Sequence, residues 1–422
     1  MYVHDRVNHS SRASSLVRRL VGQHDSSYGV SSMTCSVYDT AWVAMIAKTV
    51  NGNTRYLFPA SFEYLLNTQQ PDGGWGGPRF ASEIDCILNS LAALLALSRH
   101  ISRPYQLRKA SEDLIHRRTR AIYFLETKFS AWDVNSIATN TSLQPLITKL
   151  LQMLELEDVR FAFPGRELFL QTKPNKRSSH TLAVLYSNTR TVTTHSLEGR
   201  IGEIDFDRVG QHKICGSMMA SPASTAAYLM NCTEWDVEAE AYLKHIVSVS
   251  DEKSFGGVPA KFPTTVFELA GVISILLENG FTAKNLGTRT LHTAADFLQD
   301  CLQLEGGVTG FAPYVESDAD NTARTISALA LLGRSASPQG LIKHYETSEY
   351  FKTSAQDKSP SFRTNCHVLK ALLDLVPENS EQMPQIQKIV AFLCNYWWTT
   401  NGRIEDQSVS TEAWRREFTN FV

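Results

Sequence analysis

The amino-acid sequence predicts an all-α fold in which helical hairpins are joined by glycine-rich turns. Apolar residues recur at helical spacing in several long segments, whereas the alternation expected of β-strands is scarce. Corners rich in glycine and proline separate these segments, at 71–78, 256–263 and 306–313. A chain of 422 residues is long enough for two or three ordinary domains with a large buried core.

Four segments carry the helical pattern. Residues 265–277 place apolar side chains on one face and end at Gly280, a typical helix stop. Residues 322–332 end in the same way at a glycine, and 362–376 end before a proline. Residues 88–97 are apolar nearly all round, which is typical of an inner helix in a double-layered helical barrel.

Two of the corners are similar in sequence. Gln70–Gly76 (QPDGGWG) and Gln303–Phe311 (QLEGGVTGF) share a glutamine, an acidic residue, paired glycines and an aromatic residue. Each precedes an apolar helix. Coincidence between glycine-rich corners is one explanation, but the shared order favours a repeated unit of turn plus helix, as in stacked hairpins.

Composition excludes several classes of protein. The net charge of −2 provides no positive field, so no nucleic-acid partner is expected. The seven scattered cysteines argue against a disulfide framework and favour a reducing, cytoplasmic compartment. The most apolar stretch, 91–97, is too short to span a membrane. The Arg- and Ser-rich start is compatible with a transit peptide, but the spacing of apolar residues at 16–21 favours an ordinary first helix.

One acidic motif, ESDADNTA at 316–323, precedes an apolar helix. A helix start alone explains such a motif, because Asp and Asn are good caps and acids suit the first turn. The sequence has no phosphate-binding glycine loop, no G-x-S-x-G, no H-E-x-x-H and no D-D-x-x-D cluster. Dehydrogenase, kinase, serine hydrolase and zinc protease functions therefore lose support.

Several further motifs accompany the acidic one, and together they make the chain resemble the class II terpene cyclases. Within that family it is similar to the copalyl diphosphate synthase region of fungal bifunctional diterpene synthases. The resemblance runs over nearly the whole chain. Its motifs are SVYDTAWV (36–43), QPDGGWGG (70–77), DCILNSLAALLAL (85–97), HSLEG (195–199), GSMMASPASTAAYLMN (216–231), GGVPAKFPTTVFE (256–268), the acidic motif and FLCNYWWTTNG (392–402).

The resemblance implies two α/α-barrel domains, called β and γ, with the active site between them. The first helix of the β domain would be 1–30, the inserted γ domain 31–275, and the rest of the β domain 276–422. After 402–406 the sequence no longer looks like the family's continuation, so either the second barrel closes with fewer helices or the sequence is truncated there.

The resemblance also implies a reaction. It is the cyclisation of geranylgeranyl diphosphate to a copalyl-type diphosphate, started by protonation of an alkene. Asp320 matches the family's general acid and Asp318 its partner. Such an acid must hold its proton at neutral pH, and we expect burial and neighbouring carboxylates to raise its pKa.

The sequence departs from the family's pattern at two positions of the acid site. Asn321 stands where the family has its last Asp, which removes one acidic neighbour. His367 stands in a stretch where the family typically has an Asn that supports the acid. An imidazolium there would stabilise the carboxylate left after proton transfer; an ordinary polar helix residue is the alternative.

Other site residues follow from the resemblance. His195 is a candidate for the terminating base, although Ala260 replaces the Asn that partners it in plant enzymes. Trp42, Phe311 and Tyr314 are candidates for lining an aromatic pocket around the carbocation, with structural packing as the alternative. Mg²⁺ and the diphosphate would be held by acidic groups, for which Glu155, Glu157 and Asp158 are candidates; a solvated helix face is the alternative.

Three functions are therefore compared. The first is a class II diterpene cyclase that acts on a prenyl diphosphate and works beside a separate class I terpene synthase. The second is a silent remnant of the two helical domains that binds a prenyl diphosphate or a partner protein. The third is a protein-binding helical solenoid.

Overall fold

The computed structural model describes residues 2–22, 27–76, 83–105, 111–132, 143–170, 182–188, 191–354, 357, 360–375 and 383–402. Within these ranges helices dominate, which confirms the all-α prediction. The α-helices are α1 (Tyr2–Gly22), α2 (Val37–Ala44), α3 (Pro59–Thr68), α4 (Glu83–Ser102), α5 (Ser111–Ser130), α6 (Leu143–Glu155), α7 (Arg166–Leu170), α8 (described over 182–185), α9 (Pro222–Asn231), α10 (Val237–Ser254), α11 (Thr265–Glu278), α12 (Ala283–Leu286), α13 (Thr288–Leu304), α14 (Ala319–Leu331), α15 (Gln339–Tyr345), α16 (Phe362–Leu375) and α17 (Met383–Thr399).

The remaining regular structure is short. Three 3₁₀-helices cover Val192–Arg200, Phe206–Arg208 and Gly210–His212. Six strands form antiparallel pairs: β1 (Cys35–Ser36) with β6 (Val258–Pro259), β2 (Ala47–Val50) with β3 (Asn53–Tyr56), and β4 (Lys213–Ile214) with β5 (Ser217–Met218).

The described residues divide into two compact units. Those before residue 33 and after residue 262 form the discontinuous unit, and those from Met33 to Phe262 form the continuous unit. The sequence places a boundary at 275/276, which falls inside α11. The structure keeps α11 whole in the discontinuous unit, because its buried face, including Val266, Leu269 and Ile273, belongs to the core of that unit. The assignment of the two units as β and γ domains stays a proposal.

The continuous unit is organised around α4. Every residue of Leu91–Leu97 in this helix is fully buried. The helix contacts α2, α5 and α6. It is 20 residues long and apolar enough to cross a membrane by length and composition, but 67% of its apolar window is buried inside the protein. Within the described ranges α4 therefore has the features of a core helix.

The discontinuous unit is organised around α14, which packs between α11 and α16. Its core also takes apolar side chains from α1 and α13, for example Val17, Leu291 and Leu298. The helix begins at Ala319, earlier than the sequence pattern predicts, because the side chain of Asp318 caps it.

The two similar corners form the same kind of turn. In one, the N–H of Gly73 donates to the carbonyl of Gln70 at 3.0 Å; in the other, the N–H of Gly306 donates to Gln303 at 3.1 Å. Both glycines have positive φ, 97° and 71°. A Cβ on Gly73 would lie 2.4 Å from the carbonyl oxygen of Arg120, so this turn tolerates only glycine. These matching turns support the proposed repeat.

Candidate active site

The acidic motif forms the N-terminus of α14. Asp318 is the N-cap, and one of its oxygens accepts the backbone N–H of Asn321 at 2.7 Å. Its other oxygen accepts the side-chain Nδ2 of Asn321, also at 2.7 Å. Asn321 is 1% exposed, and its Oδ1 is buried without a hydrogen-bond partner among the described residues. An amide suits this position because it donates to Asp318, which a carboxylate does not do.

Asp320 lies in the first turn of α14 and faces two basic side chains. His367, on α16, hydrogen-bonds through Nδ1 to Asp320 Oδ1. Arg324, one turn further along α14, places its Nε 3.3 Å from Asp320 Oδ2. The Asp320 side chain is 14% exposed and that of Arg324 is 9% exposed. The same guanidinium places Nη2 3.2 Å from His367 Nε2. The three side chains therefore form a closed triangle.

This triangle sets the charge of Asp320. Burial alone would raise the pKa of its carboxyl, but His367, then Arg324 and Arg363, outweigh burial and hold that pKa well below its usual range. The expectation that its surroundings raise the pKa is therefore contradicted. Asp318, the expected acidic partner, caps the helix and bonds to Asn321. The cause of the difference is that the described neighbours of the Asp320 carboxyl are a histidine and arginines and not further carboxylates.

Aromatic rings lie beside the triangle. The guanidinium carbon of Arg324 is 5.6 Å from the centre of the Phe267 ring, and Phe267 lies 5.5 Å from the Phe311 ring. The carbonyl of Phe311 accepts the N–H of Val266 at 2.9 Å, which ties its loop to the start of α11. Tyr314, three residues further on, has φ of 64° and is 44% exposed.

Sequence reasoning missed Arg324, Arg363 and Phe267. Of the three, Arg324 was the easiest to predict from the sequence, because a residue four positions after an acid on a helix lies on the same face. Phe267 and Arg363 come from α11 and α16, so only the packing of these helices reveals them.

His195 lies in the continuous unit, within the 3₁₀-helix Val192–Arg200, and its Nδ1 contacts the carbonyl of Met219 at 3.1 Å. Since a carbonyl only accepts, Nδ1 carries the ring proton and Nε2 holds the free lone pair. Burial, followed by the charge of Lys261, lowers the pKa of His195 to about 3. The imidazole is therefore neutral, as a base must be. Ala260, half-buried and beside Lys261 in sequence, has no side chain that hydrogen-bonds.

Glu198 and Asp39 are buried acids of the continuous unit. Glu198 Oε1 accepts the hydroxyl of Tyr38 at 3.0 Å, and Asp39 Oδ1 accepts the N–H of Ala223 at 3.1 Å. Burial raises the pKa of Asp39 to about 7 and that of Glu198 to about 8. Trp42, next to these groups on α2, is fully buried and borders a cavity of about 320 Å³ that Arg99, Met153 and other side chains also line.

The candidate magnesium ligands at the end of α6 contact arginines. Glu155 pairs with Arg166, and with Arg160 at 3.7 Å. Glu157 pairs with Arg103 at 3.1 Å. Asp158 lies in the following turn, with φ of 59°. Across the described ranges, no group of three His, Cys, Asp or Glu side chains is arranged to hold a metal ion. Because arginines occupy the two glutamates, this acidic cluster does not fit Mg²⁺.

Comparison with known proteins gives the class to which this fold belongs. The chain is similar to the ent-copalyl diphosphate synthase of Arabidopsis thaliana, solved with (S)-15-aza-14,15-dihydrogeranylgeranyl thiolodiphosphate. The TM-score is 0.73 and the identity 20%, over 95% of this chain and 54% of that one. The fold is therefore that of the helical terpene cyclases. No family model matches the sequence.

Two fungal relatives are more similar in sequence. One is a copalyl diphosphate synthase of Talaromyces verruculosus, 40% identical over 94% of this chain and 40% of its own length. The other is an ent-kaur-16-ene synthase of Phaeosphaeria sp., 40% identical over 96% of this chain and 43% of its own length. The chain is thus a homologue of the fungal copalyl diphosphate and ent-kaurene synthases, and it spans about two fifths of the length of these relatives.

Proposed function

We propose that the protein is a class II diterpene cyclase, which converts geranylgeranyl diphosphate into a copalyl-type diphosphate by protonating its terminal alkene. The observation that carries the proposal is the Asp320 carboxyl, buried at the start of α14 and held by His367 and Arg324. The similarity to fungal copalyl diphosphate synthases supports the substrate class.

In the proposed reaction, Asp320 must first take up a proton and then give it to an alkene carbon. The C–H bond forms, the alkene electrons move to close the rings, and a base removes a proton from the last carbocation. The diphosphate is retained. An alkene is a very weak base, so it needs a strong acid. The N–H of His367 and the charges of the arginines stabilise the Asp320 carboxylate and so make its protonated form such an acid, at the cost of a smaller protonated fraction at neutral pH.

His195 supports the final step. It is neutral, and its Nε2 lone pair is left as an acceptor because Nδ1 donates to Met219. We propose His195 as the terminating base, acting without the amide partner that Ala260 cannot supply. Phe311 and Tyr314, in the discontinuous unit, and Trp42, in the continuous unit, stay candidates for binding the apolar chain.

The remaining predictions concern Mg²⁺, a partner enzyme and the cellular location. Mg²⁺ would neutralise a diphosphate, but Glu155 and Glu157 are not free to hold it, so no step here depends on it. The retained diphosphate makes the product a substrate for ionisation, and a separate class I terpene synthase is the proposed consumer. A cytoplasmic location stays a prediction, based on scattered cysteines.

The test is product analysis. Purified protein is incubated with geranylgeranyl diphosphate, the products are dephosphorylated, and the alcohols are separated and identified. We expect a bicyclic copalol-type alcohol that falls by at least about 10²-fold in Asp320→Asn. Asp296→Asn is the matched control, since Asp296 is exposed and pairs with Arg334 on the surface.

A well-folded protein that binds geranylgeranyl diphosphate but releases only geranylgeraniol would contradict the proposal. That result would favour the silent remnant. Absence of both product and prenyl diphosphate binding would favour the helical solenoid.

A further inference from the structure

The triangle of Asp320, His367 and Arg324 fixes where the protons of the acid site lie. The contact of 3.2 Å between Arg324 Nη2 and His367 Nε2 is a hydrogen bond in which only the arginine can donate. His367 Nε2 must therefore be an unprotonated acceptor. The single proton of a neutral imidazole then lies on Nδ1, the atom that contacts Asp320 Oδ1. An imidazolium would instead point an N–H at the guanidinium.

This protonation pattern distinguishes the two oxygens of the acid. Oδ1 accepts the N–H of His367, so a proton on Oδ1 would face another proton. It could be accommodated only if the imidazole moved its own proton to Nε2, the position blocked by Arg324. Oδ2 faces Arg324 Nε at 3.3 Å and keeps a second lone pair that can take up a proton.

We propose that Arg324 is a positioning residue that locks His367 in its neutral Nδ1–H tautomer and thereby confines the transferable proton of Asp320 to Oδ2. The transfer of that proton to a substrate rests on the function proposed above. The assignment of the His367 tautomer does not depend on that function. The inference concerns an arginine that the acid motif does not include.

Burial and a ring contact hold the Arg324 side chain in the position that fixes the His367 tautomer. Its side chain is 9% exposed, its guanidinium carbon lies 5.6 Å from the Phe267 ring, and it sits on the same helix as Asp320. A planar guanidinium spans both partners, with Nη2 as the donor to His367 Nε2 at 3.2 Å and Nε in ion-pair contact with Asp320 Oδ2 at 3.3 Å, and a lysine ammonium cannot reproduce this geometry. The other charged groups that act on this site are Arg363 and Asp318.

The test is ¹⁵N NMR of the full chain labelled at histidine, in which two-bond couplings report which ring nitrogen carries the proton. The signals of His367 are assigned by their loss in His367→Gln. At pH 7 we expect wild-type His367 to show a protonated Nδ1 and a bare Nε2. In Arg324→Met we expect protonation to spread to Nε2. Arg334→Met, which removes a surface arginine, should leave the wild-type pattern.

Two outcomes would overturn the inference. One is a protonated Nε2 in the wild-type protein. This measurement does not depend on the folding of any variant. The other is an unchanged Nδ1–H tautomer in a folded Arg324→Met protein.

Turnover separates this inference from the proposed function. We expect Arg324→Met to lower kcat on the order of 10²-fold with little change in KM, and Arg324→Lys to restore only part of it. A wild-type protein with the expected tautomer but no cyclic product would contradict the function alone. Normal turnover in Arg324→Met would contradict the positioning role.

Discussion

Asp320 in the discontinuous unit and the buried acids Asp39 and Glu198 in the continuous unit have opposite electrostatic surroundings. In the discontinuous unit, Asp320 faces His367 and Arg324, and its pKa is held well below the usual range. In the continuous unit, burial raises the pKa of Asp39 to about 7 and that of Glu198 to about 8, and Glu198 Oε2 has no hydrogen-bond partner among the described residues. Burial acts in the same direction on all three. The neighbouring groups decide whether the net pKa shift is upward or downward. Burial of an acid does not by itself predict that the acid is protonated.

The largest expected effect is in the continuous unit. Because folding raises the pKa of Glu198 from 4.5 to about 8, the folded protein keeps a proton that the unfolded chain loses. Stability should therefore fall as the pH rises from about 4.5 to about 8. Glu198→Gln, which mimics the neutral acid, should raise the free energy of unfolding at pH 9 by roughly 5 kcal/mol and change it little at pH 5.

Denaturant unfolding at the two pH values measures this effect. Glu203→Gln is the matched control, since that side chain is 51% exposed. Equal stability of wild type and Glu198→Gln at pH 9 would show that Glu198 ionises without cost.

Asp320→Asn should give the opposite response. It removes the carboxylate that pairs with Arg324 in the triangle, so stability at pH 7 should fall by about 2–3 kcal/mol. The pKa of Asp320 is depressed on folding, so its contribution is present above about pH 4 and lost in acid. Urea unfolding at pH 7 and pH 3 checks both points. A variant that is more stable than wild type at pH 7 would mean that the carboxyl is buried uncharged.

A smaller effect is expected at the helix cap. Asn321→Asp would place a carboxylate oxygen against Asp318 Oδ2, where an amide now donates at 2.7 Å. The two acids would share a proton, with the pKa of the pair raised. The loss of stability should be about 1–3 kcal/mol at pH 8 and smaller at pH 5, as thermal melts at both pH values can show. A loss that is independent of pH would exclude a shared proton.

The smallest effect concerns His195. Burial is the first cause of its lowered pKa, and the charge of Lys261 is the second. Lys261→Met should therefore raise the pKa by less than about one unit and leave the imidazole neutral at pH 7. A proton NMR titration of His195 measures this. A pKa near that of a free histidine in the variant would show that Lys261, and not burial, keeps the ring neutral.

The sequence was sufficient for the helices and for the acid motif. Periodicity over 265–277 predicted α11 almost to the residue, and the D-A-D-N run predicted a capped helix start. It was insufficient for the electrostatics of the site. Arg324 reaches Asp320 along one helix, but His367 and Phe267 come from two others, so their contacts depend on packing that the local pattern does not encode. The acidic run at 155–158 was a candidate metal site, with a solvated helix face as the alternative, because its pairing with Arg166, 11 residues further on, and with Arg103, 54 residues before, depends on tertiary contacts.

The most direct test of Asp320 as a proton donor is cyclisation in D₂O. Geranylgeranyl diphosphate is incubated with the protein in D₂O, and the dephosphorylated product is analysed by mass spectrometry. If Asp320 protonates the alkene, the bicyclic alcohol should carry one deuterium, and both product and label should be lost in Asp320→Asn. A bicyclic product without deuterium, or one formed equally well by Asp320→Asn, would contradict the account.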